Sequence, residues 1–128
     1  MTKLFKQFFM LAILAGAMVL VSCENSAVAT ISVKVLKGGK AQVGEQVYMY
    51  RGSLQDAFLE HKVHASKNIA TDENGIAEFA ISSFDMGAGS NQGTFVFETF
   101  DANENVNGKV AASVKSGDKK TVTLSITK

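Results

Sequence analysis

The chain has 128 residues, enough for one domain, and its 13 basic and 12 acidic side chains give a formal net charge of +1. That balance excludes the strong basic surplus of a nucleic-acid binder. Hydrophobic residues make up 46% and charged residues 20%, which excludes a wholly disordered chain; the absence of proline excludes a proline-rich stalk, and one cysteine cannot make an internal disulfide or a multi-cysteine metal site.

Met1 to Lys6 carries two lysines and no acid, and Phe8 to Val21 is then unbroken by any charge. A helix of about 14 residues spans about 21 Å, short of the roughly 30 Å hydrocarbon core, so the segment fits a signal-peptide core better than a transmembrane anchor. The run ends in Leu20-Val21-Ser22-Cys23, which resembles the lipobox of bacterial lipoproteins. The resemblance implies cleavage before Cys23, acylation of its thiol, and a mature chain from Cys23 to Lys128. Residues 1–22 are then the signal peptide, 23–28 a short lipidated tether and 29–128 the folded domain. Losing Lys3 and Lys6 leaves the mature chain close to neutral, so the lipid must supply the attachment. Glu24, rather than Asp, after the cysteine resembles an outer-membrane sorting signal. The expected location is the bacterial cell envelope, in the outer membrane.

Ala29 to Leu36 alternates apolar and polar residues, with Ala29, Ile31, Val33 and Val35 on one side, and reads as a half-buried strand. Lys37-Gly38-Gly39-Lys40 is the turn after it. Val43 to Arg51 reads as a second strand with Val43, Val47 and Met49 on one face. Ser53 to His64 breaks the rhythm: Leu54, Ala57, Phe58 and His61 have helical spacing, and Ser53 followed by Asp56 resembles a helix start. One short helix is expected there. Ile69 to Thr71 is a third strand, Asp72-Glu73-Asn74-Gly75 a strong turn, and Ile76 to Ile81 a fourth strand with Ala77, Phe79 and Ile81 on one face. Ser82 to Gly93 reads as a loop. Thr94 to Phe100, Lys109 to Val114 and Thr121 to Ile126 complete seven strands, with Phe95, Phe97, Val122, Leu124 and Ile126 facing inward. Seven short strands separated by turn signals imply an antiparallel sandwich or barrel.

Three segments then align in order: Val33 to Leu36, Val43 to Tyr50, and Thr71-Asp72-Glu73-Asn74-Gly75-Ile76-Ala77-Glu78-Phe79. Together they resemble the transthyretin-like and carboxypeptidase-regulatory-like domains, and the T-D-x-x-G-x-A-x-F hairpin is the most telling part. The resemblance runs from about Ile31 to Ile126. It departs from the family at Gln42, where a proline is often found, and in the longer link holding the expected helix. It implies an all-β, seven-stranded antiparallel Ig-like (prealbumin-like) sandwich with one short helix between strands two and three. Its motifs are turn and core positions, which speak to fold rather than function.

Candidate chemistry is sparse. His61 and His64, preceded by Glu60, could share a metal from one helix face, but there is no H-E-x-x-H pattern and no third strong ligand. Asp101, Asn103 and Asn105 alternate like calcium-loop ligands, yet Val106 stands where glycine is expected and Ala112 where a bidentate glutamate is expected; a tight hairpin loop is the simpler reading. Tyr50-Arg51-Gly52-Ser53 repeats a string that ends the chain in transthyretin-related hydrolases, but here it is internal. No serine has a G-x-S-x-G setting. The chain is therefore read as a lipid-anchored, non-catalytic binding module, attached to the membrane through Cys23 and able to meet an envelope protein, with no cofactor, metal or nucleic acid expected. The alternatives are a small hydrolase using His61, His64 and Arg51, or a purely structural envelope protein.

One surface stands out. Tyr48 and Tyr50 alternate away from the core on strand two, as do Val96 and Phe100 on strand five. The transthyretin-like layout makes those strands neighbours, so the four should gather into an apolar patch on the outside of one sheet. Either the helix covers the patch with Leu54, Ala57 and Phe58, the favoured outcome, or the patch is an open interaction face.

Overall fold

The computed structural model describes residues 27–52, 61–87 and 89–127. The expected signal segment, Cys23, the expected tether up to Ser26 and most of the expected helix, including Leu54, Ala57 and Phe58, lie outside the described residues.

Period-two patterning and β-branched residues produce strands at every site where the sequence suggested one. They are β1 (Ala27–Lys37), β3 (Gln46–Arg51), β4 (Lys67–Ala70), β5 (Ile76–Ser82), β6 (Gln92–Phe100), β7 (Val106–Lys115) and β8 (Lys119–Ile126), with β2 (Lys40–Ala41) as a two-residue addition. β2 follows from Gly38 and Gly39, whose φ angles of 60° and 79° suit a two-residue hairpin turn. In one sheet β1 is flanked by β5 and β8, and β2 pairs where the β5 ladder has ended. The other sheet has the order β4-β3-β6-β7. All pairings are antiparallel except β1 with β8, which run parallel from Thr30↔Lys119 to Lys37↔Ile126. This corrects the expectation of a wholly antiparallel sandwich.

The inner faces of the two sheets meet in one core. Ile31, Val33, Val35, Ala77, Phe79, Ile81 and Leu124 come from the first sheet, and Val47, Met49, Phe95, Phe97 and Val114 from the second. Phe79 and Phe97 meet edge to face across the interface, with centroids 5.0 Å apart, a geometry worth about 0.5–1.5 kcal/mol beyond area burial. Gly108 lets β7 close against β8: a Cβ there would stand 2.4 Å from Leu124 Cδ2 and 2.7 Å from Thr99 Oγ1.

Three other expectations are corrected. Val43 is 65% exposed and lies before β3, because Gly44, at φ 75°, turns the chain there. Lys62–His64 forms one turn of 3-10 helix, and His61 before it is extended, so the described end of the expected helix is not α-helical. The Ser82 to Gly93 loop, in turn, holds a short helix, α1 (Ser83–Met86). Its capping box joins Ser82 and Asp85: the Asp85 N–H donates to Ser82 Oγ at 3.2 Å, and the Ser82 N–H donates to Asp85 Oδ2 at 2.9 Å.

The ladders define two ends. Ala27 pairs with Ser82 at the close of β5, and Gln92 with Lys115 at the β7–β8 turn, so the start of β1, α1 and residues 115–119 share one end. The turns after Lys37, Thr71 and Phe100 share the other.

Candidate functional site

The Tyr48, Tyr50, Val96 and Phe100 cluster forms as the alternation requires. β3 and β6 are neighbours, with Tyr50 opposite Val96 and Tyr48 opposite Glu98. Tyr50 and Val96 are fully buried in a second, smaller apolar cluster, with Tyr48, Ala65 and Ala111 packed against them. Two of the four, Tyr50 and Val96, thus have no exposed surface. Tyr48 and Phe100 remain half-buried, meeting edge to face at 5.3 Å. Lys62 places its ammonium 5.4 Å and 5.0 Å from those two ring centroids while pairing with Glu104 at 3.3 Å. A cation over aromatic faces contributes about 0.5–1 kcal/mol at such exposed sites. The 3-10 turn is thereby held against the outer face of the sheet.

This second cluster contains charge. Glu98 is buried, and its carboxylate pairs with Lys109 at 3.1 Å from the neighbouring strand. Burial pushes the Tyr50 phenol well above its usual pKa, and interaction with Glu98 adds to the shift. Tyr50 is therefore neutral and structural at physiological pH. Nothing in the alternation flagged Glu98, since a charged residue at an outward position reads as solvated.

The remaining candidates fall into separate groups. The rings of His61 and His64 lie 6.1 Å apart, edge to face. Arg51 reaches the other way, toward Gly87 beyond α1, so the structure does not bring Arg51 together with the histidine pair. Among the described residues, no group of three or more His, Cys, Asp or Glu side chains is placed to hold a metal ion.

The Asp101 loop is a tight turn. Asp101 Oδ1 accepts the N–H groups of Asn103 and Asn105, both at 2.9 Å. It repeats the Asp72 turn bond for bond: Asp72 Oδ1 accepts from Asn74 at 2.8 Å and Ile76 at 3.0 Å, and both aspartates donate their own N–H to the carbonyl four residues on. Gly75 at φ 77° in one turn is matched by Glu104 at φ 63° in the other. The oxygens that suggested calcium ligation at Asp101 are thus shared with a hairpin device used twice.

The T-D-x-x-G string has a further task. Thr71 Oγ1 donates to the Gln42 carbonyl at 2.5 Å and accepts the Glu45 N–H at 2.9 Å. The Thr71 main chain also exchanges bonds with Gly44 and Glu45, and the Gly75 carbonyl accepts from Val35. Thr71, though polar, is buried. It stitches the β2–β3 loop to both sheets.

A groove of about 650 Å³ opens at the Ala27 end, lined in part by Ser90, Thr94, Ser113, Lys115 and Lys120.

No protein-family model matches the chain, and no curated protein sequence matches it. Solved structures that resemble it include the Bacillus anthracis TIE protein, at 13% identity and TM-score 0.45 over 78% of this chain and 17% of that one. A DUF3823 family protein from Parabacteroides merdae resembles it at 12% identity and TM-score 0.45, over 77% of this chain and 45% of that one. GBS52, the minor pilin of Streptococcus agalactiae, does so at 17% identity and TM-score 0.43, over 78% and 45%. The chain thus spans less than half the length of each of these proteins, and its fold assignment rests on its own sheets and core.

Proposed function

We propose that this protein is a lipid-anchored β-sandwich of the bacterial cell envelope, transthyretin-like in fold, that acts as a non-catalytic binding or interaction module. The observation that carries the reading is Leu20-Val21-Ser22-Cys23, a lipobox-like string closing a charge-free apolar run and containing the chain's one cysteine. The tight Asp101 turn adds support, because the Asp101 carboxylate that first suggests chemistry accepts the backbone N–H groups of Asn103 and Asn105. In this reading the lipid fixes the domain in the outer membrane and its loops meet an envelope partner.

The test is fractionation of cells making the wild type and Cys23→Ala. The wild type should sediment with membranes and take up labelled fatty acid. The variant should remain an unprocessed precursor without label. Labelled Cys23→Ala, or an unlabelled wild type, would overturn the anchoring.

A further inference from the structure

We infer that the end of the sandwich bearing Ala27, α1 and the β7–β8 turn docks on the bilayer surface, with Phe84 entering the interfacial layer and basic side chains around it meeting anionic headgroups. The inference rests on the proposed acylation of Cys23 and specifies which surface the acyl group turns toward the membrane.

Reach comes first. Only Glu24, Asn25 and Ser26 separate Cys23 from Ala27. At no more than about 3.5 Å per residue, Cys23 cannot lie further than about 14 Å from the start of β1. An acylated Cys23 therefore holds this end, rather than the opposite one, against the headgroups.

Chemistry agrees with that placement. The large apolar side chains exposed among the described residues are Val43, Val63 and Phe84. Phe84 is the one aromatic, it is 82% exposed, and it sits on α1 at the Ala27 end. α1 is held firmly: Lys67 Nζ donates to Asp85 Oδ2 at 2.8 Å and to the Ala80 carbonyl at 2.7 Å, while Met86 inserts into the core. Phe84 thus projects from a fixed base. A large rigid apolar group gains by leaving water for the interface, and a second membrane contact adds to what an acyl chain supplies.

Charge is segregated in the same sense. Among the described residues, Arg51, Lys115, Lys119 and Lys120 are exposed at or next to this end; the acids there are Asp85, paired with Lys67, and Asp118, whose carboxylate accepts the Lys115 N–H. The opposite end carries Glu45, Asp72, Glu73, Asp101 and Glu104 against Lys37, Lys40 and Lys62, the last paired with Glu104. A nearly neutral chain therefore presents a basic end to the leaflet and an acidic end away from it. Basic side chains near an anionic surface are drawn toward it.

The chain contains no tryptophan, so one introduced indole reports its own surroundings. Phe84→Trp and, as the opposite-end control, Val43→Trp would be purified from membranes as full lipoproteins. Each would be reconstituted in phosphatidylethanolamine–phosphatidylglycerol vesicles containing acyl-brominated lipid, with the mass of the Cys23 peptide measured on the same samples. Both sites are exposed, so both variants should fold. The expected result is acylated Cys23, a blue-shifted and quenched signal in Phe84→Trp, and an unshifted, unquenched signal in Val43→Trp. Acylated protein with no quenching in Phe84→Trp, or with equal quenching in both variants, would overturn the docking while leaving the anchor intact. An unmodified Cys23 would overturn the anchoring itself and the docking that depends on it.

Discussion

The two ends of this sandwich are built on opposite principles. At the Lys37 end, turns are tied to one another by buried and backbone hydrogen bonds: Thr71 joins the β2–β3 loop to both sheets, and the Asp72 and Asp101 carboxylates each close their own turn. At the Ala27 end, a four-residue helix is fixed by one capping box and one lysine, and it leaves a phenylalanine in solvent. The first end spends its polar groups on closure, and the second presents side chains outward. Oxygen-rich loops in this chain thus mark hydrogen-bonded closure, whereas the exposed aromatic side chain Phe84 lies at the Ala27 end.

The largest effect should fall on the core that both ends share. Leu124 is fully buried, against Gly108, and Leu124→Asp places an unpaired charge there. The cost should be several kcal/mol, comparable to the stability of a small domain. Urea unfolding checks it; a midpoint close to wild type would show that β8 does not carry its apolar face inward.

The turn pair sharpens the comparison within the Lys37 end. In Gly75→Ala the new Cβ would lie 2.7 Å from Ala41 Cβ at a φ of 77°, so the variant should lose about 2–4 kcal/mol. Glu104→Gly relieves the equivalent left-handed strain of the Asp101 turn. It also gives up the exposed pair with Lys62, which is worth little. A gain of up to about 1 kcal/mol is expected. Opposite signs in thermal melts would support one shared device; losses in both would contradict it.

The smallest effect belongs to the Ala27 end and appears with acid. Burial raises the pKa of Asp85, but its bonds to Lys67 and Ser82 outweigh this and hold the carboxyl below its ordinary value of 3.8. A depressed native pKa stabilises the fold above the unfolded value, and that stability is lost as pH falls through the native one. Wild-type stability relative to Asp85→Asn should therefore decline below about pH 4. A difference constant across that window would show that the Lys67 pair does not fasten α1.

Much of the sandwich was legible because its strands are half-buried: Ile31, Val33 and Val35 alternate with Ser32 and Lys34, and the core uses that face. The parallel β1–β8 pairing was not legible, because strands so distant in sequence carry no local signal of direction. Val43 failed because alternation continues through it in sequence while Gly44 turns the backbone. α1 was missed for its length. Its Ser82-to-Asp85 spacing is the same start signal recognised at Ser53 and Asp56, but four residues show no helical period. The outer-face cluster followed directly from Tyr48, Tyr50, Val96 and Phe100, whereas Glu98 at its heart did not, since burial of a carboxylate depends on Lys109 arriving from another strand.

The chemical state of Cys23 is read by the mass of the N-terminal peptide of protein isolated from its own membranes. The expected result is a chain that begins at Cys23 and carries fatty acyl groups. An unmodified Cys23, or cleavage at any other position, would contradict it.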